Sequence, residues 1–326
     1  MAKINTVLGP VSADELGVTL MHEHLVFSYL GWECDALSPP YDRQAAADAC
    51  IRALGDAKSY GLHTLVDATA TDMGRDVEMQ KMVSDKLGIN IICATGFYTE
   101  KYGKAGYFKL RGMYYDIVAE LCETMSREIT QGIGDTRVKA GVIKVGTGHG
   151  RISSYEEKML KAAARAQKET GVPIITHTEA GTMGVEQADL LISEGADPKR
   201  IVIGHMCGNS DLNYHVSVLD KGVNIAFDRL GIDVLFPDRL RKACLIGLMG
   251  IGYTDNIFIS QDSWAYRLGR PFEFPEEVKP LLANWTYAHV FKNIIPALKE
   301  AGVSEQKISN LMVENPRRLF GGVQGK

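Results

Sequence analysis

Three observations predict that the 326-residue chain closes into a (β/α)8 barrel. Short apolar, β-rich runs recur eight times, and most are followed by a stretch of helical character. The runs are apolar almost throughout, the pattern of a parallel sheet covered on its outer face. The repeat also extends over at least the roughly 250 residues that such a barrel occupies. A doubly wound open sheet is the competing architecture. It is weakened because no Gly-x-Gly-x-x-Gly follows the first strand.

Taken in order, residues 1–16 read as a short β-hairpin with its turn near Gly9-Pro10. The eight strand candidates are GVTLMHEHL (17–25), HTLVDAT (63–69), INIICATGFY (89–98), AGVIKVGT (140–147), GVPIITHT (171–178), RIVIGHM (200–206), GVNIAFD (222–228) and NIFISQD (256–262). The clearest helix is SSYEEKMLKAAARAQKETG (153–171), with apolar residues at helical spacing, a serine cap before it and Gly171 to end it. TMGVEQADLLISEGADPKR (182–200) and DRLRKACLIGLMGIG (238–252) behave alike. A long loop, SWAYRLGRPFEFPEEVKPLLANW (263–285), follows strand eight, and long loops at that barrel face are usually functional. With no linker or shift in composition, residues 1–326 read as one barrel domain.

Composition removes several partners. The net charge is −4, and no Lys/Arg cluster of the kind that follows a phosphate backbone is present, so no nucleic-acid partner is expected. No apolar stretch is long enough for a bilayer, and the opening MAKINTVLGPVSADEL lacks the apolar core of a signal peptide. Six scattered cysteines (Cys34, Cys50, Cys93, Cys122, Cys207, Cys244) include no C-x-x-C pair and read as reduced thiols of a cytoplasmic protein.

The polar residues within the apolar runs carry the functional signal. In a strand, residues i and i+2 share a face, so His22 and His24 project together. Lys144 sits near the end of strand four, His177 ends strand five, His205 ends strand six and Asp262 ends strand eight. In a parallel barrel these ends meet at one mouth, where barrel enzymes keep their active sites. Four imidazoles, a carboxylate and a lysine suit a pair of divalent metals. A lone histidine at a strand end is more often a hydrogen-bonded structural residue; four together are hard to assign to packing. His63 begins its strand, at the wrong end, and His149, His215 and His289 fall in loops or helices. Lys144 leaves two readings open. A buried neutral amine adds carbon dioxide to give a carbamate with an oxygen for each metal, while the plainer alternative is an ion pair with an acid such as Asp67.

MHEHL, VIKVGT, PIITHTEAG, VIGHM and SQD, in this order, resemble the phosphotriesterase-like lactonases of the amidohydrolase superfamily. The likeness extends to VDATATDMGRDV, FDRLGID and the C-terminal ENPRRLF. It implies two divalent ions, zinc first, with cobalt, iron or manganese as alternatives. His22, His24 and Asp262 would hold the buried ion and His177 and His205 the exposed one, with carboxylated Lys144 and a hydroxide bridging them. It further implies that this hydroxide attacks the substrate, with Asp262 taking its proton, and that Tyr98 and Arg229 shape the substrate pocket. Trp264 is expected to line an apolar channel for a substrate's tail, whereas Phe274 and Trp285 are expected only to pin the long loop to the barrel. Gln261 departs from the family, where histidine often precedes the strand-eight aspartate; strand alternation turns it away from the metals, so substrate range rather than chemistry is in question.

The implied function is a lactonase opening γ- or δ-lactones, among them N-acyl-homoserine lactones, with promiscuous organophosphate hydrolysis. The alternative is a phosphotriesterase that prefers organophosphates. A non-catalytic metal-binding barrel is a third reading, poorly supported because every ligand type is present. The resemblance also suggests a homodimer, with GYFKLRGMYYDI (106–117) as a candidate contact.

Overall fold

The computed structural model describes residues 3–322. A hairpin of β1 (Lys3–Thr6) and β2 (Gly9–Ser12) comes first. Its turn lies at Val7-Leu8, two residues before the Gly9-Pro10 position expected, and Gly9 already pairs with Thr6. Pro10 sits in a two-stranded ribbon, where a strand edge without an amide donor is tolerated.

Eight strands follow: β3 (Thr19–Phe27), β4 (Thr64–Asp67), β5 (Asn90–Gly96), β6 (Val142–Thr147), β7 (Ile174–Thr178), β8 (Ile201–Ile203), β9 (Asn224–Phe227) and β10 (Ile257–Ile259). Each lies within one of the eight predicted runs, except that β3 continues to Phe27. A further strand, β11 (Trp264–Arg267), opens the long loop. The sheet order is β10-β9-β8-β7-β6-β5-β4-β3-β11, with parallel pairing. The two outermost strands, β10 and β11, are separated by only residues 260–263, so the edges of the sheet meet. Backbone bonds from Asp262 to His22 (3.1 Å) and from His24 to Ser263 (2.8 Å) close the cylinder, the (β/α)8 barrel expected.

Helices cover its outside: α1 (Arg43–Ser59), α2 (Val77–Leu87), α3 (Ala105–Arg111), α4 (Ile117–Thr130), α5 (Ser154–Thr170), α6 (Gly184–Ser193), α7 (Leu212–Leu219) and α8 (Asp238–Gly250). α5 shows why the prediction there was sharp. Ser153 and Glu156 form a reciprocal capping box, and Gly171 ends the helix at φ 76°.

Two apolar layers separate along each strand. Leu65, Ile91, Cys93 and Ile143 point outward to the helices, while Val66, Ile92, Val142, Ile175, Ala226 and Phe258 fill the cylinder. Lys144 follows Val142 by two residues and His177 follows Ile175 by two, so alternation carries both into the lumen. β3 does not alternate evenly. Leu20 pairs with Leu65 but Glu23 with Asp67, so three steps of β3 oppose two of β4. This bulge puts Met21 and His22 on the same side, delivers His22 and His24 to the lumen, and returns Leu25 to the outer layer.

Candidate metal centre and substrate pocket

All nine residues singled out in the sequence line one cavity of about 240 Å³ at the C-terminal ends of the strands: His22, His24, Tyr98, Lys144, His177, His205, Arg229, Asp262 and Trp264. His205 stacks on His22 at 4.7 Å between ring centres and meets His177 edge-on at 4.6 Å. None of the other four histidines lines the cavity. His63 is exposed and bonded to the Gly61 carbonyl, His215 to that of Met206, and His289 pairs with Asp238.

Each imidazole has a fixed partner at one ring nitrogen. Nδ1 of His22 lies 2.6 Å from Asp228 Oδ2, Nδ1 of His205 lies 2.9 Å from Asp228 Oδ1, and Nδ1 of His24 lies 2.8 Å from Thr69 Oγ1. The Nε2 atoms of His22, His24 and His205 then converge on Asp262, at 3.5, 3.0 and 3.8 Å. His177 has Tyr98 Oη 3.2 Å from Nδ1 and Glu179 Oε2 3.3 Å from Nε2. For His22, His24 and His205, one nitrogen held by an oxygen and one turned to the cavity is the usual arrangement of metal-ligating histidine. Ligand atoms of His22, His24 and Asp262 lie within 4.8 Å of one another. The atoms of His22, His205 and Asp228 meet the same limit, but there Asp228 already accepts from both rings and from the His205 amide at 2.8 Å. We assign Asp228 as the clamp that holds two rings, not as a ligand. The sequence reading does not single out Asp228. Its parity with Ala226 on β9 is the signal that places it in the lumen.

The electrostatics agree with this chemistry. Burial holds His177 down to about 4 and pushes His22 and His205 below the usual imidazole range, so the rings are neutral at pH 7. Burial alone would raise Asp262, but the groups facing it, the Arg229 guanidinium at 2.9 Å among them, outweigh burial and hold the carboxyl well below its ordinary range. Burial lowers Lys144 to about 8. Lys144 Nζ sits 2.9 Å from His22 Nε2 and 3.4 Å from the Thr176 carbonyl, while Asp67 instead accepts the amides of Leu25 and Thr69. The alternative Lys144–Asp67 pair is therefore not formed. Neutral imidazoles, an ionised carboxylate and a readily deprotonated amine fit a pair of divalent cations.

Two of these residues adopt left-handed backbone, His205 at φ 58° and Asp262 at φ 54°. Non-glycine residues there are uncommon and cluster at functional sites. Arg229 is not a surface residue: it is turned into the cavity and donates from Nε to Asp262 Oδ2 at 2.9 Å. Gln261 is buried and donates to the Tyr287 carbonyl, turned out of the cavity as alternation requires. The expectation that Phe274 and Trp285 serve only to pin the loop is corrected. Both line the cavity with Trp264, and Trp285 also donates to the carbonyls of Gln261 and Asp262. Phe27, Tyr29, Met73, Ile232 and Leu235 complete a largely apolar wall.

Known proteins resemble this chain along nearly its whole length. A model of the phosphotriesterase family matches residues 2–320. The "Phosphotriesterase homology protein" of Mycobacterium tuberculosis is 34% identical over 331 residues, covering 99% of this chain and all of that one. The solved organophosphorus hydrolase from Deinococcus radiodurans superposes with a TM-score of 0.95 at 44% identity, covering 98% of this chain and 97% of that one. A second structure, described as molecular engineering of organophosphate hydrolysis activity from a weak promiscuous lactonase template, has a TM-score of 0.96 at 43% identity and covers 98% of this chain and all of that one. The match spans both the barrel and the rim that carries the histidines; the chain is a hydrolase and belongs to the phosphotriesterase family.

Proposed function

We propose that the chain, acting as one domain, is a two-metal lactonase that opens γ- and δ-lactones, including N-acyl-homoserine lactones, with weaker organophosphate hydrolysis. The observation that carries this reading is a reactive polar floor beneath apolar walls. At that floor Arg229 is paired through Nε with Asp262, so its charge is already balanced by a carboxylate. A neutral ester with an apolar tail suits such a site.

His22, His24 and Asp262 would hold one cation and His177 and His205 the other. Lys144 would bridge them as a carbamate, formed when its neutral amine bonds to carbon dioxide and releases a proton. Bound there, divalent ions supply a polarised substrate carbonyl and a water of lowered pKa, with zinc first among the candidates. The chain's own groups do the rest. Tyr98 and Arg229 orient the ring oxygens, and Trp264 with its apolar neighbours holds the tail and excludes water. Asp262 accepts the proton of the attacking water and returns it to the alkoxide released when the ring C–O bond breaks.

The relative described as a weak promiscuous lactonase template supports the lactone reading, and the organophosphorus hydrolase supports the alternative. Measuring kcat/KM for a δ-lactone and for paraoxon on one metal-loaded sample separates them. Lactone preference is expected; a preference of about a hundredfold for paraoxon, about 2.7 kcal/mol in transition-state binding, would overturn the reading. Six free cysteines support a cytoplasmic setting. Among the described residues no helix is long and apolar enough to cross a membrane. The exposed Tyr107, Leu110, Met113, Tyr114 and Tyr115 are the proposed homodimer contact, to be checked by light scattering.

A further inference from the structure

Glu23 stands between the two histidines of β3, wholly buried, and does not line the cavity. Alternation sends it to the opposite side from His22 and His24, where a carboxylate has no business unless something donates to it. Among the described residues no lysine or arginine pairs with it. Its oxygens instead accept from Ser260 Oγ (2.7 Å), the Gln261 amide (2.9 Å) and the Ser263 amide (2.8 Å). These three donors flank Asp262 on both sides.

The backbone explains why they need an acceptor. The Ser260 amide bonds to Phe227, the last residue of β9, while the Asp262 amide bonds across to His22 on β3. Amides two apart in a regular strand point the same way; here the direction reverses, and Asp262 takes φ 54°. The reversal leaves the Gln261 and Ser263 amides without a strand partner, and Glu23 takes both. Ser260 Oγ in turn accepts the His22 amide at 3.0 Å, so Glu23 ties the strand of the first two histidines to the turn of the aspartate. Trp285 holds the same turn from its carbonyl side.

We propose that Glu23 is a positioning residue for Asp262: it fixes the left-handed turn that aims this carboxylate at His24 and Arg229, and so sets the geometry of the polar floor. The proposal rests on the functional reading above only where turnover is concerned. A Glu23→Gln substitution keeps size and one acceptor oxygen but sets an NH2 group against an amide donor. The test compares wild type, Glu23→Gln and Ser260→Ala, the last removing one arm only. Asn315→Ala serves as the stability control, because Asn315 anchors the other end of β10 through the Thr254 and Ile257 carbonyls.

Each full-length protein is loaded with Co2+, and its visible absorption, its Tm, and kcat and KM for a δ-lactone are measured; Glu23→Gln and Ser260→Ala are also crystallised. In Glu23→Gln, kcat per folded molecule should fall about 10- to 100-fold with KM within about threefold, the Co2+ absorption should shift, and Asp262 should be displaced from His24. Ser260→Ala should show the same changes in smaller measure, which keeps the test decisive if Glu23→Gln does not fold. Asn315→Ala should lose Tm alone. A Glu23 or Ser260 variant with lowered Tm but unchanged kcat, Co2+ spectrum and Asp262 position would overturn the proposal, as would an Asn315 variant that loses kcat equally. A wild type that binds no Co2+ or opens no lactone would instead overturn the functional reading, and the position of Asp262 in the variant crystals still decides the role of Glu23.

Discussion

Asp262 touches His24 and Arg229 directly and lies within 4 Å of His22 and His205, so the site depends on one carboxylate. Asp262→Asn keeps its shape but removes the proton acceptor, and kcat should fall by about two to four orders of magnitude. His63→Ala, at an exposed position whose ring bonds to the Gly61 carbonyl, should leave kcat within about twofold. Steady-state kinetics on a lactone check both; near-wild-type turnover by the first would remove Asp262 from the chemistry. Lys144→Ala should lose bound metal by elemental assay, with partial recovery of activity in short carboxylic acids that supply a bridging anion. Two tightly held metals in that variant without added acid would argue against the carbamate. The six polar groups His22, His24, Lys144, His177, His205 and Asp262 are legible in the sequence because strand parity and strand ends are local properties. Asp228 and Glu23 are less so, because their partners are remote: Asp228 meets His22 206 residues away, and Glu23 meets Ser263 240 residues away. Only the closed barrel brings them together.

At the scale of elements, the eight strands and the capped α5 are visible in sequence because apolar runs and cap chemistry act over a few residues. β11 is not, since WAYR mixes polar and apolar residues and becomes a strand only by pairing with the end of β3. The hairpin turn is misplaced for a related reason: Gly9-Pro10 carries strong turn chemistry, but Gly9, at φ 129°, is used to leave the turn. A tertiary tie equally invisible to local patterns joins α4 to the barrel. Arg75 donates to the Ala94 carbonyl of β5 at 2.7 Å and to both oxygens of Glu128 on α4 at 2.7 and 2.8 Å. Burial disfavours the ionised Glu128, but Arg75 outweighs it and holds the carboxyl below its ordinary value of 4.5. A lowered folded-state pKa means the stabilisation is complete above that value and is lost as pH falls through the folded one. Glu128→Gln should therefore lower stability by about 3 kcal/mol at pH 7, leaving Arg75 buried without its partner. Melting curves should show the gap to wild type narrowing as pH drops below about 4. A gap constant with pH would show that the loss is one of packing.

For the whole molecule, the sheet closes because β10 and β11 are pieces of one segment that meet the same strand, β3. That closure draws residues from 22 to 262 to a single rim. Neutral imidazoles packed centre to centre at 4.6–4.7 Å are poorly used by a barrel that binds nothing there. Cations bound to the folded state alone should stabilise it, by about 4 kcal/mol at a thousand times the dissociation constant. Chelation should accordingly lower Tm and abolish hydrolysis together, with both restored by a divalent ion. The central claim is most directly tested by anomalous diffraction from crystals of metal-replete protein at the absorption edge of the loaded metal. Two peaks roughly 3.5–4 Å apart are predicted, one beside His22, His24 and Asp262 and the other beside His177 and His205, with Lys144 between them. Peaks elsewhere, or no peak at this rim, would contradict the account.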